Sequence, residues 1–278
     1  SKNPKIIYVG LHGYREDGPY GGQPAFDDVI QGQSGIAGAF VARDGEASLV
    51  PTVMADKSVG LLASTGLLAA YIKSLKTGKG SYLEVSMFEG MVGYTLLEHH
   101  FGATFVPPLG QVGYPRVLSS NRKPYKSADG YICVLPYTNQ QWINFFKIIG
   151  REELIDDKRF SSIKERSKDI HTLYTIVANN VIKKTNKEWT ELLQKNEIPH
   201  GVVNRLEDLE DDPHLKAVNF FRSYKHPTEG ELKMPDSAFR LNRESLPVRR
   251  HQPKLGEHSK NILREAGFKD SEILKILN

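Results

Sequence analysis

The stretch Leu49-Val50-Pro51-Thr52-Val53-Met54-Ala55-Asp56-Lys57-Ser58-Val59-Gly60-Leu61-Leu62-Ala63 sets one acidic residue between an apolar run and a long apolar segment. The spacing predicts a helix over 56–75 with Asp56 at its mouth. Unpaired backbone N–H groups and the helix dipole at such an end hold a carboxylate ionised. Asp56 is therefore a candidate carboxylate nucleophile. Aspartate is also among the best N-cap residues, and a purely structural cap accounts for the same pattern.

Outward from this segment the pattern reads strand 6–11, loop 12–23, helix 26–33, then, beyond helix 56–75, strand 81–87 and helix 88–101. Strands alternating with helices of this length predict an α/β fold with a parallel sheet covered on its faces. Farther on the pattern reads strand 130–135, helix 140–149, two or three charged helices to 197, short strands around 222–226 and 231–234, and helices 259–266 and 271–277. Thr185-x-x-Glu188 ahead of Trp189 is a capping box. Residues 245–255, with Pro247 and Pro253, read as an extended strap.

Composition bounds the answer. The 278 residues are 39% hydrophobic and 25% charged, within the ordinary globular range, so disorder and collagen-like structure are excluded. No apolar run reads as approaching the roughly 18 residues of a membrane-spanning helix, so a membrane protein is not expected. The lone Cys133 suits a reducing compartment and excludes a cysteine-based zinc site. A cytoplasmic location is expected; a mitochondrial one stays open, since the chain opens at Ser1 and reaches a β-rich run by Lys5.

Residues 1–110 carry 8 Lys+Arg against 10 Asp+Glu and 17 of the 24 glycines, whereas 111–278 carry 29 against 23 and 7 glycines. That shift from −2 to +6 predicts a domain boundary near Pro107-Pro108. The basic excess is interspersed with acids, which fits a solvated face and not a nucleic-acid groove.

Other motifs are weaker. The loop 12–22 has glycines where a backbone could approach a phosphate, yet matches no nucleotide fingerprint. Thr77-Gly-Lys-Gly80 reads as a helix C-cap and turn. Adjacent His99 and His100 point about 100° apart on a helix and cannot share one metal ion. Trp142, Phe145, Phe146 and Ile149 fall at helical spacing and read as core. Arg116 and Arg122 could clamp a carboxylate or simply be solvated.

Taken together, Asn3-Pro-Lys-Ile-Ile-Tyr-Val9, Gly13-Tyr with Gly18-Pro-Tyr, Phe26-Asp to Gln33-Ser-Gly35, Ala55-Asp-Lys-Ser-Val-Gly60, Thr77-Gly-Lys-Gly80, Glu84-Val-Ser-Met-Phe88 and Leu255-Gly-Glu-His258 resemble the class III coenzyme A transferases. That family includes formyl-CoA transferase, the carnitine CoA-transferases and the α-methylacyl-CoA racemases. The resemblance implies a Rossmann-like large domain, a smaller α+β domain and an interlocked homodimer. It assigns 1–110 to the large, CoA-binding domain, 111–235 to the small domain and 236–278 to a strap and helices that return to the large domain. It further implies that about the first quarter of a full-length member precedes Asn3.

By the same resemblance Asp56 is the catalytic aspartate, and Pro24, Ala25, Phe26, Asp27 and Met87 border coenzyme A. The implied reaction moves coenzyme A, as an acyl-CoA substrate, to a free carboxylic acid through aspartyl anhydride and aspartyl-CoA intermediates, without metal. Phe26 stands where racemase relatives carry a histidine base, and a hydrocarbon ring cannot move a proton. The glycine-rich lid of formyl-CoA transferase has no counterpart between Phe105 and Tyr131; Arg116 and Arg122 stand there instead, cations that would favour a dicarboxylate. A racemase of the same fold, and a non-catalytic fragment or subunit needing a separate N-terminal segment, are the alternatives.

Overall fold

The computed structural model describes residues 3–277. They divide after Val203 into two compact units.

The first unit opens with β1 (Ile7–His12), α1 (Asp27–Gln33), α2 (Ile36–Asp44), α3 (Met54–Thr77), β2 (Ser81–Ser86) and α4 (Met87–His99). β1 and β2 run parallel in the register Ile7↔Ser81 to His12↔Ser86. Among the described residues the expected parallel sheet is thus a two-stranded pair. Gly80 is required at its entry, because a Cβ there would collide with the carbonyl of Ile6. Ile30, Ile36, Ala55, Val59, Ala63, Val85 and Met91 form the core beneath. α2 lies in a stretch that received no assignment: Gly35 and Gly45 bracket it and Gly38 interrupts it, and both bracketing glycines are left-handed residues that start and stop a helix.

The expectation that no apolar run approaches membrane-spanning length fails at α3. α3 has 24 residues and a window of mean hydropathy 1.3, long and apolar enough by length and composition to cross a membrane. Scattered serine, threonine and glycine disguise the run, while positions 58–72 hold no charge. The helix packs against β1, β2, α1 and α4. Its other face leaves Leu61, Leu68, Ile72 and Leu75 exposed.

A second cluster in the same unit gathers β3 (Tyr125–Lys126), β4 (Tyr131–Val134), α5 (Asn139–Ile148), α6 (Ile163–Lys168), α7 (Ile170–Val181), α8 (Asn186–Lys195) and β5 (His200–Val202), with antiparallel order β3-β4-β5. Trp142, Phe145 and Phe146 are buried with Leu173, Val177, Trp189 and Leu193, and Ile149 packs against them. The capping box is formed: Glu188 N–H donates to Thr185 Oγ1 at 3.3 Å and Thr185 N–H to Glu188 Oε2 at 2.8 Å. Trp189 Nε1–H donates to the Val181 carbonyl at 2.7 Å.

The second unit holds α9 (Pro213–Ala217), the antiparallel pair β6 (Phe221–His226) and β7 (Gly230–Pro235), the short pair β8 (Arg240–Leu241) and β9 (Glu244–Ser245), α10 (Ser259–Glu265) and α11 (Asp270–Leu277). The strap beyond Ser245 is irregular, as its prolines require. His226 pins it: Nε2 lies 2.8 Å from the Gln252 carbonyl, while Nδ1 accepts the N–H groups of Thr228 and Glu229, both at 3.2 Å. In α10 and α11, Ile273 is fully buried, Leu263 is half-buried, and Ile262, Leu274, Ile276 and Leu277 are exposed.

Candidate functional site

Asp56 lies in the first turn of α3. The N-cap is Val53, which makes no side-chain cap, so Asp56 is not the capping residue that one reading of the sequence allowed. Its carboxylate is exposed and free of that duty. The backbone of this turn is held from α1. Asp56 N–H donates to Asp27 Oδ1 at 3.1 Å, and Gln31 Nε2–H donates to Asp27 Oδ2 at 2.6 Å.

Gln31 extends the brace. Its Oε1 accepts the N–H of Val50 at 2.9 Å and its Nε2 reaches the carbonyl of Thr52 at 3.2 Å, so the segment entering α3 is tied to α1. Asp27 and Gln31 are buried, with 5% and 0% exposure, where a polar group is tolerated only when its hydrogen bonds are made. Sequence reading placed Asp27 at the coenzyme; the structure shows its carboxylate spent on the backbone of Asp56 and on Gln31. The i, i+4 pairing of Asp27 with Gln31 was the available signal.

A cavity of about 290 Å³ opens beside Asp56, walled by Leu11, His12, Gly13, Ala25, Val59, Gly60, Val85 and Met87. It sits where both parallel strands end and α3 begins, the usual place for a ligand in a parallel α/β arrangement. Gly13 is needed there because a Cβ would strike that of Ala25, and the N–H of Phe88 donates to the Gly13 carbonyl at 2.9 Å, fixing α4 to the same rim. Apart from His12 and Asp56 the walls are small or apolar, which suits an intermediate that water would destroy.

The structure brings Asp56, Ala25 and Met87 to one cavity. Pro24 and Phe26 are exposed and are not among its lining residues; Phe26 is 77% exposed. Arg116 and Arg122 are not there either. Arg116 stacks on Tyr137, its guanidinium carbon 4.7 Å from the ring centroid, and Arg122 lines a different cavity in the second cluster. His99 is a structural residue whose Nδ1 accepts the N–H of Tyr114 at 3.1 Å. Among the described residues no group of three or more His, Cys, Asp or Glu is arranged to hold a metal.

The sequence model of CoA-transferase family III matches residues 1–259. A human protein named succinyl-CoA:glutarate CoA-transferase is 27% identical over 267 residues, covering 94% of this chain and 60% of its own length. A Clostridium sporogenes protein named cinnamoyl-CoA:phenyllactate CoA-transferase is 27% identical over 287 residues, covering 98% of this chain and 67% of its own. The chain therefore spans about three fifths to two thirds of such relatives. Among solved structures, Rv3272 from Mycobacterium tuberculosis superposes with a TM-score of 0.77 at 23% identity over 93% of this chain and 69% of that one, a likeness of fold.

Proposed function

This chain belongs to CoA-transferase family III, and from that premise we propose that it transfers coenzyme A from an acyl-CoA thioester to a free carboxylic acid, with Asp56 as nucleophile. The observation that carries this reading is the setting of Asp56: an uncommitted carboxylate in the first turn of α3, its backbone fixed by Asp27, lining a cavity whose other walls are small or apolar but for His12.

In the proposed sequence an Asp56 oxygen attacks the thioester carbonyl carbon and the C–S bond breaks, giving a mixed anhydride and the CoA thiolate. A thiol with an ordinary pKa near 8.5 makes a competent leaving group. The thiolate then attacks the Asp56 acyl carbon, releasing the donor carboxylate and leaving an aspartyl-CoA thioester. The acceptor carboxylate attacks that thioester, and the thiolate returns to the acceptor's acyl carbon, regenerating Asp56. No proton and no electron pair is left over in any step. Two relatives carry glutarate or phenyllactate in their names, which supports an organic acid as acceptor.

The same reading takes residues 1–110 and 236–278 as one large domain and 111–235 as a small one, in an interlocked homodimer in the cytoplasm. The exposed row Leu61, Leu68, Ile72 and Leu75 on α3 supports burial against further protein. Pro24, Phe26 and Asp27 would border the coenzyme from the α1 side, and Ala25 and Met87 from within the cavity.

The test is D56N in the intact protein, assayed by mass for new acyl-CoA with succinyl-CoA and a panel of acids. Transfer should disappear while the melting temperature stays unchanged, because Asp56 caps nothing. Retained transfer in the folded variant overturns the assignment. Hydroxylamine added during turnover should mark Asp56 in peptide maps of the unaltered protein.

A further inference from the structure

Helix α3 carries two interior glycines, Gly60 and Gly66, although glycine weakens a helix interior relative to alanine. Packing explains the second. A Cβ at residue 66 would come within 3.0 Å of the Leu83 side chain, so its absence lets α3 lie close on β2. Packing does not explain the first. Among the described residues, a Cβ at residue 60 would meet no side chain, and no backbone of another segment, within 4 Å. The space it would enter belongs to the Asp56 cavity, which Gly60 lines. Gly13, the other glycine of that cavity, has a reason inside the fold, since its Cβ would strike that of Ala25 at 2.5 Å.

Direction along the helix gives this space its meaning. Gly60 follows Asp56 by four residues and lies one turn farther along the same face of α3. Side chains on a helix lean toward its N-terminus, so each residue covers the surface of the turn before its own. A side chain at 60 would therefore lean back over the turn that carries Asp56. Its absence opens the flank of that turn to the cavity. The helix continues unbroken to Thr77, so Gly60 is not one of its ends.

We infer that Gly60 determines acyl specificity: the group attached to the thioester carbonyl lies in the space that its missing side chain leaves. This rests on Asp56 as the nucleophile. Attack needs the carbonyl carbon about 3–3.5 Å from a carboxylate oxygen, so the first carbons of the acyl chain must be housed beside the same turn. The cavity, at about 290 Å³, holds the reacting end of the thioester and not the whole coenzyme. In so small a space one methyl group at residue 60 changes which acyl groups fit.

The experiment compares intact D56N protein with D56N/G60A, where binding is read without turnover, by calorimetry with free coenzyme A, acetyl-CoA and succinyl-CoA. The added methyl group should leave the affinity for free coenzyme A within about twofold and lower that for acetyl-CoA by less than about fivefold. Succinyl-CoA should bind about tenfold more weakly or worse. G60A alone should lose kcat/KM for succinyl-CoA to a similar degree, with a melting temperature unchanged or higher, since alanine is the better helix former. Equal losses for coenzyme A and succinyl-CoA, or a melting temperature that falls because residue 60 packs against protein, would overturn the inference. The two readings fail separately. Transfer retained by D56N overturns the nucleophile and with it the placement of the acyl group, whereas abolished transfer with unaltered succinyl-CoA affinity in D56N/G60A overturns the placement alone.

Discussion

The carboxylate of Asp27 accepts the backbone N–H of Asp56 at 3.1 Å, across 29 residues of sequence, so one buried acid orients the turn that carries another. D27A would take the side-chain acceptor from that N–H and leave the Gln31 amide with only its backbone acceptors, a loss of about 1–3 kcal/mol. Denaturant unfolding should show the deficit, and steady-state rates should fall with it. D27N should recover only part, because its NH2 group would face the Gln31 NH2. A D27A protein as stable and as active as the parent would separate the brace from the site.

Phe26 offers no proton-transfer group, and the ring is exposed beside α1. No α-epimerisation of 2-methylacyl-CoA is expected. Deuterium wash-in at the α-carbon, followed by mass in D2O, should be far slower than acyl transfer; comparable rates would favour the racemase reading.

Burial pushes the Tyr125 phenol above its ordinary value, with the Tyr174 oxygen adding to the effect and Arg122 opposing it. The folded protein keeps this proton where the unfolded chain has released it, so stability is lost as pH rises above about 10, by up to about 1.4 kcal/mol per pH unit. Y125F should remove that contribution to the slope. Thermal unfolding of both proteins between pH 8 and 11 checks it: the melting temperatures should diverge in favour of Y125F only at the alkaline end.

His226 holds the strap at Gln252 and accepts two backbone N–H groups from its own turn. H226A should cost about 1 kcal/mol through the lost hydrogen bonds, since the donors belong to exposed residues that water can reach. Amide exchange by mass spectrometry should accelerate at residues 226–229 and in the strap 245–255, with little change at β3, β4 and β5. Unchanged exchange in the strap would show that other contacts hold it.

Local chemistry was legible in the sequence wherever neighbours along the chain decide the outcome. The Thr185/Glu188 box and the core spacing of Trp142, Phe145 and Phe146 are such cases, because cap and periodicity are short-range. Gly78 also ends α3 as its motif predicts, its N–H donating to the Ser74 carbonyl at 2.9 Å. α2 was hidden because its glycines lower helix propensity while serving as its ends. β5 is three residues long and exists only by pairing with β4, a partner far off in sequence. The role of Asp27 was equally invisible. Its residue type fits a coenzyme border and a backbone brace alike, and only the fold brings its carboxylate within 3.1 Å of the Asp56 nitrogen.

The parallel pairing of residue 7 with residue 81 carries a kinetic consequence. Three helices lie between the two strands, so closing the pair demands a long loop whose entropy is lost before any ladder bond rewards it. Helices α1 to α4 can flicker into place early, whereas the rim of the Asp56 cavity needs both strand ends at once. Nascent chains would thus pass through a helical state with the apolar face of α3 uncovered and no reactive centre assembled. Coenzyme chemistry at Asp56 would then be withheld from a chain until its longest-range contact has been made.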